Sequence, residues 1–186
     1  MNWDLTYHFK NQEEFEKSLE EVNKLVEQFK EYEGKLSNEE YFVKYFLLTR
    51  KFENDASRVY QYASLKSDLN KKDVENAANL NRCRMALYAL SEVVSYAEPE
   101  IISIGEKKVM EFIDRNPEIA EFRFSLEKLF RGAKHVLDAS SEKLLSLYAP
   151  ITSSAAELYS ALAVGDGKNQ EVKLKNKKVV AVTQGN

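Results

Sequence analysis

An apolar stripe with helical spacing, ending abruptly, constrains this chain more than any other feature. Phe42, Tyr45, Phe46, Thr49, Phe52, Ala56, Val59, Tyr60 and Ala63 recur every three or four residues. That spacing puts one continuous face on a helix opening near Asn38. Ser67-Asp68-Leu69-Asn70 breaks the stripe. Asn70 is then read as the cap of a following helix, with Asp73 favourable in its positive first turn. The stretch from Phe52 to Asn81 therefore predicts an antiparallel helical hairpin. Only six glycines and three prolines punctuate the 186 residues. These are the main helix breakers, so long uninterrupted helices are expected.

The flanking sequence extends the pattern. Trp3, Leu5, Tyr7 and Phe9 alternate, which reads as an extended arm packed on a helical face. Asn11 with Glu14 three residues on resembles a capping box. It opens a first helix running to about Glu33, with Phe15, Leu19, Val22, Val26 and Phe29 inward and an acidic outer face. Gly34 ends it as a left-handed cap. A third helix is expected from about Lys71 to Ala97, apolar most of the way round in its second half and hence central, and stopped by Pro99. Shorter helices follow over about Gly105–Arg115, with Val109, Phe112 and Ile113 inward, and Pro117–Arg131, ended by Gly132. Another starts at Asp138 or Ser140 and ends near Pro150; a last one, capped by Thr152 or Ser153, reaches about Val164. Beyond Gly165-Asp166-Gly167 the sequence alternates and is rich in valine and lysine, predicting a β-hairpin that turns near Asn176-Lys177. The expected fold is mainly α, a multi-helix bundle-like array with a small C-terminal β-hairpin. The expected division is residues 1–167 helical and 168–186 hairpin.

Charge and composition exclude several classes. A net charge of −3 gives no basis for a nucleic-acid surface. No apolar run approaches about 18 residues, so no membrane span is expected. The single Cys83 precludes an intrachain disulfide and favours a reducing compartment. No leader is evident in the first residues, and the cytoplasm is the expected location.

Candidate chemistry is sparse. His8 and His135 are the only histidines, and neither stands at a metal-ligand spacing from the other or from Cys83. His135, between two helices, reads as a loop residue capping a helix end. Cys83, flanked by Arg82 and Arg84, reads as a buried inert thiol. Glu13, Glu16, Glu20, Glu27 and Glu31 lie opposite the first helix's apolar stripe and read as a solvated face. No Glu-x-x-His, P-loop, dinucleotide fingerprint or Gly-x-Ser-x-Gly elbow occurs. Lys168, Lys173, Lys175, Lys177 and Lys178 form a basic patch whose common use is to protect a strand edge. Tyrosines 41, 45, 60, 62 and 88 suit either core packing or a docking surface. Tyr62 is read as lying off the buried stripe.

Several stretches taken in order carry a resemblance. Arg58-Val59-Tyr60-Gln61-Tyr62-Ala63-Ser64-Leu65-Lys66-Ser67-Asp68-Leu69 resembles a "YA-x-L-K-x-D" segment of the oligoendopeptidase F family, the M3 zinc metallopeptidases that cut oligopeptides. Trp3-Asp4-Leu5-Thr6 and Glu98-Pro99-Glu100-Ile101 are similar to that family's start and a later helix junction. Phe122 to Leu145, with Leu129-Phe130-Arg131, His135-Val136-Leu137 and Glu142-Lys143-Leu144-Leu145, is similar to its "LFR…HVLS…EKLL" region. Thr183-Gln184-Gly185-Asn186 is close to the "T-H-G-N" that precedes the catalytic part. The family's His-Glu-x-x-His helix is absent from these residues. The resemblance thus implies an N-terminal domain that ends before the catalytic one, forming a wall or lid of a peptide channel. No catalytic residue, metal ligand or cofactor site is expected in the chain itself. Zinc is implied for the full-length enzyme, with the catalytic domain of the same polypeptide and an oligopeptide as partners. Homo-oligomer formation is left open. Tyr62, Lys66 and Asp68 are the candidate channel or docking residues. The chain alone is expected to be inactive. The competing class is a stand-alone helical interaction or peptide-binding module without chemistry.

Overall fold

The computed structural model describes residues 3–133, 137–166, 171–174 and 179–181. The chain forms two compact units, Met1–Pro150 and Ile151–Asn186. The first unit is a helical array organised around one long helix.

Helix α1 (Gln12–Gln28) starts where Asn11 Oδ1 accepts from the Glu14 amide at 2.9 Å. The Glu14 carboxylate reaches back to the Lys10 amide, also at 2.9 Å. A tighter 3₁₀ turn, Phe29–Tyr32, replaces the last turn expected of this helix. Gly34 follows at φ 74°, in the left-handed region that glycine tolerates best. Helix α2 (Glu39–Leu69) is capped by Asn38, as its sequence predicts. It runs two residues past Ser67, and Ser67 itself is buried. Asn70 closes α2 instead of opening the next helix. Asp73 is the cap of α3 (Val74–Val93), accepting from the Asn76 amide at 2.9 Å.

The stripes of α1 and α2 meet as expected. Phe15, Leu19, Val22, Val26 and Phe29 are buried against Phe42, Tyr45, Phe46, Phe52, Ala56 and Val59. Helix α3 adds only Leu80, Cys83 and Ala86 from one side; Met85 and Leu87 are exposed. The expectation of a central α3 is therefore corrected. Its second half is apolar, yet α1 and α2 cover only one of its faces.

Three short helices pack at the N-terminal end of α2: α4 (Ala97–Ile104), α5 (Glu106–Arg115) and α6 (Arg123–Gly132). Pro99 does not stop α3, which ends at Val93; it sits in the first turn of α4, where its missing N–H has no helical partner to lose. Val109, Phe112 and Ile113 face inward, and the Phe112 ring lies 5.3 Å from that of Phe42. A 3₁₀ segment, Pro117–Phe122, precedes α6, and the Phe122 and Phe46 rings are 4.8 Å apart. Arg50 of α2 holds this segment by binding the Glu121 carboxylate and the Glu118 carbonyl.

Helix α7 (Ala139–Ser160) contradicts the expected stop at Pro150 and the expected caps at Thr152 or Ser153. A proline removes one backbone bond and clashes one turn back. The alanine-, leucine- and glutamate-containing turns on both sides sustain the helix through it. Asp138 caps it, as expected, binding the amides and hydroxyls of Ser140 and Ser141. A π-helical turn over Ala161–Asp166 follows. In the second unit β1 (Glu171–Lys173) and β2 (Val179–Ala181) pair antiparallel, with Val172 opposite Val180. The expected turn at Asn176-Lys177 lies outside the described residues.

The N-terminal arm is also corrected. Asp4 Oδ1 accepts from both the Thr6 amide and hydroxyl, and the His8 amide bonds to the Leu5 carbonyl at 3.0 Å. These local bonds turn the backbone where alternation suggested extended chain. Phe9 is buried as a result, while Tyr7 is 91% exposed.

Candidate functional site

Of the three candidate docking residues, the fold brings two together. Tyr62 is only 4% exposed, with its ring 5.1 Å from Phe9 and 5.4 Å from Phe15. The reading that it lies off the buried stripe is corrected: the turned arm lays Phe9 over a flank of α2 that helical spacing alone leaves open. Lys66, one turn on, sets its ammonium 5.1 Å from the Tyr62 ring centroid, a cation–π distance. Asp68 faces elsewhere and pairs with Lys71 at 2.6 Å. What remains presentable is a corner at the C-terminal end of α2, made of the Lys66 head and the Asp68–Lys71 pair.

The other candidates separate cleanly. Cys83 is buried, and burial pushes its thiol up to about 11. Its sulfur lies 3.9 Å from the Val59 carbonyl. Arg82 points away from it to grip Glu16 of α1 through two bonds of 2.8 and 2.6 Å. That pairing lowers the Glu16 carboxyl and raises the arginine. Glu16 therefore leaves the solvated face assigned to it and ties α1 to α3. His8 stacks edge-on against Tyr7 at 5.9 Å. His135 lies outside the described residues, as do Lys168, Lys175, Lys177 and Lys178. Among the described residues no three His, Cys, Asp or Glu side chains converge to hold a metal. No helix among them is long and apolar enough to cross a membrane.

Two further features come from the fold. Glu100 reaches back 64 and 66 residues to accept from the Leu36 and Gly34 amides at 2.7 and 2.8 Å. It clamps the loop after α1 onto α4. Nothing in the local pattern could reveal this, because the partners are backbone groups far away in the chain.

The second is α7. Glu142, Leu145, Ser146 and Ala149 line a cleft of about 360 Å³ shared with Ser91, Val94, Ser95 and Glu98. Burial raises the Glu98 carboxyl there, and the Glu142 carboxylate adds to it. Apart from Leu145, the large apolar residues of α7 do not line this cleft. In the first unit Leu144, Leu147 and Tyr148 recur at helical spacing, and in the second Ile151, Leu158 and Tyr159 do; every one is more than half exposed. The expected stop at Pro150 hides these positions in the sequence, because it divides their turns between two helices.

Comparison with known proteins agrees with this architecture. The family Peptidase_M3_N, described as Oligopeptidase F, matches residues 100–168. The oligoendopeptidase F homolog of Borreliella burgdorferi is 30% identical over 172 residues, covering 91% of this chain and 29% of its own length. Group B oligopeptidase PepB of Streptococcus agalactiae is 30% identical over 189 residues, covering 99% and 31%. The crystal structure of oligoendopeptidase-F from Enterococcus faecium superposes with a TM-score of 0.80 at 22% identity, over 94% of this chain and 35% of that one. The chain thus spans about three tenths of the length of the curated relatives it matches. Its resemblance to the N-terminal domain of the oligoendopeptidase F family holds over nearly all its residues.

Proposed function

From its likeness to the N-terminal domain of oligoendopeptidase F, we propose that this chain is the non-catalytic wall or lid of an oligopeptide-hydrolysing zinc metallopeptidase. The catalytic domain of the same polypeptide is its partner. The boundary is placed at the 168–186 hairpin, which leads toward that domain, and the cytoplasm is the proposed location.

One observation carries the reading: the exposed apolar stripe of α7. Helices of soluble proteins turn their apolar stripe inward. Exposed apolar patches beyond a few hundred Å² mark an interface. A partner domain borne by a polypeptide about three times as long supplies the cover. The zinc implied for the family would be held by residues of that domain, where it would supply hydrolytic chemistry. This chain's share is steric. The helical array narrows access, and the Lys66–Asp68 corner, backed by buried Tyr62, borders the path of an oligopeptide.

Two measurements test this. The purified 186-residue chain with added zinc should not cleave a quenched oligopeptide; zinc-dependent cleavage overturns the reading. The catalytic part, expressed separately, should co-purify with the chain and lose it on L144D/L147D substitution. Retention by the doubly substituted chain refutes α7 as the contact. No association with the catalytic part favours the stand-alone interaction module.

A further inference from the structure

The first half of α7 lies against α3 and α4 within one compact unit, yet core packing does not hold it there. None of the described residues of α7 is buried. Two clefts run between it and the rest of the unit. Ser91, Val94 and Glu98 line the first, of about 360 Å³, together with Glu142 and Leu145 of α7. The second, of about 610 Å³, has Ala139 and Lys143 on the α7 side and Glu27, Glu33, Glu92 and Tyr96 across from them. Ser95 belongs to both, so the clefts form one seam along α7. Little apolar area is removed from water here, which leaves the charges along the seam to decide how closely α7 sits.

Those charges are unbalanced. Glu27, Glu33, Glu92, Glu98 and Glu142 line the seam, against Lys30 and Lys143. Lys30 is bound to Glu27 at 2.5 Å. Lys143 approaches Glu92 at 3.7 Å, an attraction between α7 and α3. Among the described residues no cation lines the first cleft, where Glu98 of α4 meets Glu142 of α7. Glu142 is held in place there, because its Oε1 accepts from the Leu137 amide at 2.9 Å. The neighbouring hydroxyls do not neutralise the two carboxylates: Ser95 and Ser146 donate to the Glu92 and Lys143 carbonyls, each at 2.8 Å. Glu100 of α4 is turned to the Leu36 and Gly34 amides, and Tyr96 donates to the Phe29 carbonyl at 2.6 Å. The Tyr45 hydroxyl of α2 is buried, which pushes it far above its usual range and keeps it neutral.

Two carboxylates sharing a partly desolvated site resist double ionisation. Burial first, and then the Glu142 charge, hold the Glu98 carboxyl above its ordinary value. One proton reverses the interaction. A protonated Glu98 donates to the Glu142 carboxylate, and such charge-assisted O–H···O bonds are about 2.5–2.7 Å long, so forming one draws the two helices together. We propose that Glu98 and Glu142 form a proton-operated latch: α7 stands off α3 and α4 while both carboxylates are ionised, and closes on them when the pair shares one proton. The latch lies on the side of α7 turned to its own unit and does not depend on what covers the apolar stripe.

The test is amide hydrogen exchange of the 186-residue chain at pH 7 and pH 5, corrected for the intrinsic pH dependence of exchange. Protection at Leu144–Ala149 is expected to be at least fivefold greater at pH 5, with no rise at the core amides Phe52–Val59 of α2. Glu98→Gln places an uncharged donor opposite Glu142, so its α7 protection at pH 7 should match that of the parent at pH 5 and vary less than twofold with pH. Glu142→Gln keeps an acceptor for the Leu137 amide and should likewise lose the pH dependence. Lys143→Gln removes the attraction to Glu92; it should lower protection at both pH values and leave their ratio unchanged. The proposal is overturned by pH-independent protection in the parent, by a fivefold rise that persists in Glu98→Gln or is shared by α2, or by a ratio that disappears in Lys143→Gln.

Discussion

Replacing Glu100 with alanine tests how far one side chain ties the front of the helical array together. Its carboxylate accepts from the Leu36 amide at 2.7 Å and the Gly34 amide at 2.8 Å. Leu36 is fully buried, so the loop that carries it cannot swing out to rehydrate its amide without exposing an apolar side chain. Hydrogen bonds to a charged group contribute roughly 1.5–3 kcal/mol each when sheltered, and less when exposed. The Leu36 bond is partly buried and the Gly34 bond exposed, so about 2–3 kcal/mol is expected for the pair. At roughly 2–4 °C per kcal/mol for a domain of this size, Tm falls by about 4–12 °C. Glu100→Gln keeps one acceptor oxygen and loses the charge, so about half of the effect is expected. Calorimetry of parent, Glu100→Ala and Glu100→Gln gives the ranking, and hydrogen exchange at the Leu36 amide locates the change. If Glu100→Ala costs less than about 0.5 kcal/mol, the range typical of an unremarkable surface substitution, the clamp is not a stabilising contact and the argument fails.

Tyr62→Ala should cost about 3–5 kcal/mol, the range for large core aromatics, because it opens a void between Phe9 and Phe15; Tyr62→Phe keeps the ring and should change Tm by no more than a few degrees. Equal losses in both variants would show that the hydroxyl, not the packing, matters. Cys83, buried and held up to about 11, should react with a thiol reagent near pH 8 only at the rate of unfolding, so stopped-flow labelling faster than unfolding contradicts its placement. Glu98 has a folded-state pKa above its unfolded one, so its ionisation opposes folding at neutral pH, and that opposition fades as pH falls through the folded pKa. Glu98→Gln should therefore raise Tm at pH 7, with the gain vanishing toward about pH 4, where the carboxyl is largely protonated in both states. A gain independent of pH would point to packing instead.

The helices that the residues announce most clearly are those whose signals are local. Asn11, Asn38 and Asp138 cap where their side chains can reach free amides two or three residues on. Val109, Phe112 and Ile113 face inward because one helix face is all their spacing allows. The tertiary structure decided whatever depended on a distant partner or on competition between local preferences. Phe9 buries Tyr62 because an Asp4–Thr6 turn redirects an arm whose alternation suggested a strand. The second half of α3 is apolar but half-covered, since periodicity reports which faces are apolar and not which neighbours exist to cover them. Helix α7 runs through Pro150 because one lost backbone bond is outweighed by helix-forming turns on both sides. Glu100 lies in a stretch legible only as a family likeness, and it acquired its role by meeting two amides more than sixty residues upstream. The sequence by itself determined a helical array and its resemblance to a peptidase's front domain. Folding decided which of its described surfaces remain open, the apolar residues of α7 among them. A surface stays open only when no other part of the chain reaches it, and local spacing carries no record of that.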